Sequence, residues 1–128
     1  MSPSNEASQN DDASNKTTDP RQVEVFALRE IAQRMTAAQR PETSEDDMLQ
    51  VVRLNWRLWT IFQVSMLDAD CPLPAELRNN ILSLSNFVDK HSAEIIAAPA
   101  ASKLAVLIRL NHDLADGLSG ADAANPQP

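Results

Sequence analysis

The sequence predicts an all-α fold: a small, mainly antiparallel bundle of about four helices with disordered ends. Three observations carry that prediction. Only two glycines occur among 128 residues rich in Ala, Leu, Glu and Arg, which favours helices over a sheet closed by tight turns. Apolar residues recur at helical spacing in successive stretches, with proline or acidic punctuation between them. The apolar share of 43% suffices for one core, but aromatics are only 4% and Tyr is absent, so Leu, Ile, Val and Ala must fill it.

The first stretch, residues 1–18, has no large aliphatic side chain after Met1. It should stay disordered, because it buries nothing that offsets ordering entropy. A single domain is expected over residues 19–118, and residues 119–128 read as a second disordered tail. The first helix, over 20–39, starts where Asp19 or Thr18 can cap and Pro20 suits the first helical position. Val25, Leu28, Ile31, Ala32 and Met35 form its stripe, while Phe26 points elsewhere. It ends before Arg40-Pro41.

The second helix is expected over 45–67. Ser44 with Asp47 resembles a capping box, and Glu45, Asp46 and Asp47 suit the positive end of the helix dipole. This is the core helix. Trp56, Trp59 and Phe62 belong to it, and its apolar residues spread over about two thirds of the circumference, far beyond an ordinary stripe. It must be wrapped by several neighbours or leave apolar surface for a partner.

Residues 68–73 break the pattern, and a third helix over 74–97 restarts with Pro74 at its first position and Glu76 in its first turn. Leu77, Ile81, Leu84, Phe87, Val88 and Ile95 share one face, with His91 among them. Ala98-Pro99 closes it. A fourth helix, over 101–117, aligns Leu104, Leu107, Ile108, Leu114 and Leu118, with Asn111 inside the stripe. Gly117 supplies the expected stop.

Charge and chemistry narrow the function. A net charge of −7 argues against broad binding of nucleic acid and against docking on anionic lipid. The lone cysteine, Cys71, fits a reducing compartment, and the polar N-terminus lacks a signal peptide's apolar region, so a cytoplasmic location is expected. No nucleophile is set beside a base, there is no phosphate loop, and neither histidine has Glu three residues before it, as a helical di-iron site requires. No enzyme activity, metal or cofactor is expected. His91 with Glu94 reads as a bundle-edge histidine making one hydrogen bond, the alternative being half of a metal or acid–base site. Asn111 reads as a structural amide that satisfies backbone carbonyls near the 68–74 loop or fixes helix register. Trp56, Trp59 and Phe62 spread too widely to face one neighbour, which leaves open whether one of them lines a partner groove.

Specific residues then bring a family into view. Asn55 followed by Leu58-Trp59-Thr60-Ile61-Phe62 resembles the N-x-x-LWTIF signature of FlaF, the flagellar biosynthesis regulator of alphaproteobacteria. Pro72-Leu73-Pro74-Ala75-Glu76-Leu77 resembles its LPAE segment, and Asn80-Ile81, Leu84, Phe87-Val88, Leu107-Ile108 with Asn111, and Gly117-Leu118 follow at the family's spacing. Pro20-Arg21 through Glu24 is similar to its opening. The resemblance covers residues 20–119, without the family's N-terminal tyrosine segment.

It implies a cytoplasmic chaperone and regulator that binds flagellin and supports its synthesis, secretion and assembly, working alongside FlbT. The alternative is an adaptor that acts mainly through FlbT on flagellin translation without holding flagellin. The candidate partner-binding residues are Trp56, Leu58, Trp59, Phe62, Met66 and Phe87. Asn55, Pro74, Glu76, Asn80 and Asn111 are signature positions with structural roles.

Overall fold

Proline and polar punctuation divide the chain close to where the sequence places its breaks. The computed structural model describes residues 20–124. Within them lie α1 (Pro20–Ala38), α2 (Glu45–Leu67), α3 (Ala75–Ala97) and α4 (Leu104–Ala124), the last entered through a 3-10 turn at Ala101–Lys103. No strand occurs among the described residues. The segment 1–18, expected to be disordered, lies outside them.

α2 begins as its sequence requires. Ser44 is extended, and its Oγ accepts the Asp47 N–H at 3.0 Å, satisfying one of the donors that a helix start leaves bare. α3 departs from expectation at its first residue. Pro74 is the N-cap with ψ 148°, and Ala75 is the first helical residue. Proline's fixed φ is compatible with both places, and Leu73 just before it is buried at 5% exposure.

α4 corrects two expectations. It does not stop at Gly117, and residues 119–124 are helical, so only 125–128 of the expected tail lie outside the described residues. Neither glycine adopts a positive φ. Leu118 gives the reason, being fully buried one residue beyond Gly117. Burying a leucine is worth about 1.5–3 kcal/mol, more than the 0.5–1 kcal/mol that a helical glycine costs.

The helices pack as two antiparallel pairs. α1 lies along α4, where Gln39 Nε2 reaches the Ala101 carbonyl at one end and Arg29 Nη2 reaches Asp116 at the other. α2 lies along α3, with Arg78 Nε donating to the Met66 carbonyl near the connecting loop and Trp56 Nε1 donating to Asp89 further along. α1 and α2 join the pairs, whereas α3 touches α4 only sparsely. α2 thus stands between α1 and α3.

The face that α3 buries is Ile81, Ser85, Val88, Ser92 and Ile95. It is rotated by roughly 40° from the expected stripe, at about 100° per residue. Two serines sit on it where leucines were read as the packing residues, so Leu77 and Leu84 are only half-buried and Phe87 is 41% exposed.

Candidate binding surface

On α2 the buried face comprises Met48, Val51, Val52, Asn55, Trp59, Phe62 and Met66. Trp59, Phe62 and Met66 are 0%, 1% and 0% exposed, and the two rings pack tilted with centroids 6.3 Å apart. These three, taken from sequence as partner-binding candidates, are core residues and line no groove. The indole and phenyl rings are the largest apolar bodies available to a chain poor in aromatics, so the core takes them. Of the remaining candidates, Trp56 and Leu58 are half-buried and Phe87 is exposed.

A polar knot crosses this core. Trp59 Nε1 donates to Asn111 Oδ1 at 2.8 Å, and Asn111 Nδ2 donates to Asn55 Oδ1 at 2.7 Å and to the Leu28 carbonyl at 3.2 Å. Asn111 therefore spends both amide hydrogens and one acceptor site while fully buried. Its structural role holds, but the carbonyl it satisfies belongs to α1 and not to the 68–74 loop. One amide on α4 thereby fixes the register of α1 and α2 together. Asn55 Nδ2 and Ser92 Oγ are the buried side-chain polar atoms without a partner among the described residues.

Of the other signature positions, Pro74 caps α3, while Glu76 and Asn80 are exposed on it. His91 Nε2 lies 2.8 Å from the Lys103 carbonyl, which can only accept, so that nitrogen carries the proton. The ring stacks on Phe87 at 5.2 Å and 15°, and Nδ1 stands 3.7 Å from Glu94. It fastens α3 to the 3-10 turn, as a bundle-edge histidine should.

The apolar excess of α2 does reach the surface, in residues other than those singled out. Ile61, Val64 and Leu67 are 61%, 65% and 68% exposed, spaced three apart along its C-terminal half. Burial selects one side of α2, and its excess apolar circumference is left as this stripe. The three residues share the solvent side with Arg53, Arg57 and Thr60, which are also exposed. On α1, Val23 and Phe26 form a separate exposed pair at 50% and 69%. No helix among the described residues is long and apolar enough to cross a membrane.

Among the described residues, a bundle of four helices organised on the aromatic-rich α2 is the class that this architecture defines. Against protein families, residues 7–118 match the family described as flagellar protein FlaF. The match begins inside the polar N-terminal segment, earlier than the residues that carried the resemblance, and ends with α4's last buried leucine. No curated protein and no solved structure matches the chain. The chain belongs to the FlaF family, and its role is a flagellar one.

Proposed function

We propose that the chain is a non-enzymatic, cytoplasmic chaperone and regulator that binds flagellin. It holds a terminal helical segment of flagellin against the exposed stripe of α2. The observation that carries this reading is the stripe itself. Ile61, Val64 and Leu67 stand on the helix that bears the family signature, each about two thirds exposed while the opposite face is sealed. Flagellin's terminal segments are amphipathic and helix-forming, so packing of an apolar helix face supplies the recognition.

The magnitudes suit a carrier that must release its cargo. Fully burying a Val, Leu or Ile side chain is worth about 1.5–3 kcal/mol, so these three contribute roughly 3–6 kcal/mol before association costs. Ordering of the flagellin segment tempers that further. The test is titration calorimetry with full-length monomeric flagellin and with flagellin lacking each terminal segment, at low and raised salt. Binding is expected to disappear with one of the segments and to survive raised salt, since screening weakens exposed charge pairs far more than apolar burial. No heat with any form, alongside clear binding of FlbT, would move the function to the adaptor reading.

A further inference from the structure

The fold brings together arginines that the sequence scatters. Arg34 on α1, Arg40 in the following turn, and Arg53 and Arg57 on α2 line one open cleft of about 830 Å³. Four of the chain's 11 basic residues thus converge on a single site, in a molecule whose net charge is −7. All four are exposed, and none of their guanidinium groups makes a hydrogen bond or ion pair among the described residues.

Their placement follows from elementary geometry. Gln50, Arg53, Leu54 and Arg57 all line the cleft, and their spacing of three and four puts them on one face of α2. That face stands against the C-terminal half of α1, which adds Arg34. The floor is apolar, made by Ala38, Val51 and Leu54. Glu42 and Asp47 lie at the loop end, so the lining carries four arginines against two carboxylates. Guanidinium groups present planar pairs of donors that match carboxylates, and like charges held together without partners favour an anionic occupant.

We propose that this cleft docks an acidic, amphipathic helical segment of a protein partner. Carboxylates would pair with the arginine walls while a small aliphatic face meets the apolar floor. Nucleic acid fits less well. The cleft has no aromatic lining residue on which a base can stack, and the rest of the molecule repels a phosphate chain. The site adjoins the apolar stripe without sharing a residue with it: it uses α2 residues up to Arg57, and the stripe begins one turn on at Ile61. One helix therefore offers two surfaces of opposite chemistry, and the cleft does not depend on the flagellin reading.

Fluorescence anisotropy on the full chain decides the matter. The probes are a labelled helical peptide with Glu flanking an Ala/Leu face, its Lys-for-Glu counterpart, and a single-stranded oligoribonucleotide of matched charge. The Glu peptide should bind, weaken with salt, and bind about tenfold less tightly to Arg53→Glu/Arg57→Glu, with two pairs lost and repulsion added. Arg34→Gln/Arg40→Gln should also weaken it, as a second variant that introduces no new charge. Arg109→Glu on the exposed side of α4 and the uncharged Ile61→Ser/Val64→Ser should leave it unchanged. The proposal is overturned if the Glu peptide does not bind, if it binds both arginine variants as it binds the parent, or if the oligoribonucleotide binds more tightly than the peptide.

Discussion

Asn111 shows how much one side chain can hold in place. Its amide oxygen accepts from the Trp59 indole N–H and its Nδ2 donates to Asn55 Oδ1 and to the α1 backbone, so three helices meet on it. Removing it strands the Trp59 N–H and the Asn55 carbonyl in the core, where each unmade bond costs about 1–3 kcal/mol. Asn111→Ala is therefore expected to lose about 2–4 kcal/mol in chemical denaturation. A loss below about 1 kcal/mol would mean that water or a shifted side chain replaces the knot. Trp59 and Trp56 should behave differently. Trp59 is fully buried, and Trp59→Ala should cost about 3–5 kcal/mol. Trp56 is half-buried, with its indole N–H on Asp89, and should cost clearly less. Thermal melts compare the two, and equal losses would contradict this assignment of the rings.

At the scale of the helix, the glycines of α4 provide a test of opposite sign. A glycine that ended the helix in a left-handed conformation would resist replacement, whereas one inside the helix should welcome alanine. A Cβ on Gly117 would stand 4.0 Å from Leu77 Cδ1, ordinary contact, and one on Gly120 would meet nothing within 4 Å. Gly117→Ala and Gly120→Ala should each stabilise the protein by about 0.5–1 kcal/mol, read as a rise in melting temperature. A fall at Gly117 would contradict the continuous helix. The helix bounds were largely legible because their causes are local: Ser44 before an acidic turn and the prolines around each break. The end of α4 was not legible, because it depends on the burial of Leu118 against other helices. Rotation of the buried face of α3 onto Ser85 and Ser92 was illegible for the same reason. Periodicity ranks large apolar residues as packing residues, yet close approach between helices selects small ones.

For the whole molecule, the sequence made α2 the organising helix and noted that its apolar surface exceeds what one neighbour can cover. Which residues would supply the excess was not decidable from periodicity. Trp59, Phe62 and Met66 were as eligible as Ile61, Val64 and Leu67, and only the packing of α1, α3 and α4 separates the sealed set from the open one. The arginine cleft was hidden more deeply, since Arg34 and Arg40 reach Arg53 and Arg57 only through the α1–α2 hairpin. In the sequence Arg34 and Arg40 belong to a run of arginines interleaved with Glu24 and Glu30. The measurement that tests the central claim most directly is flagellin binding by Ile61→Glu/Val64→Glu, set beside its thermal melt. Both side chains are exposed, so the melt should match the parent's while titration calorimetry shows flagellin binding lost. A variant that is equally stable and binds flagellin as tightly as the parent would contradict the account.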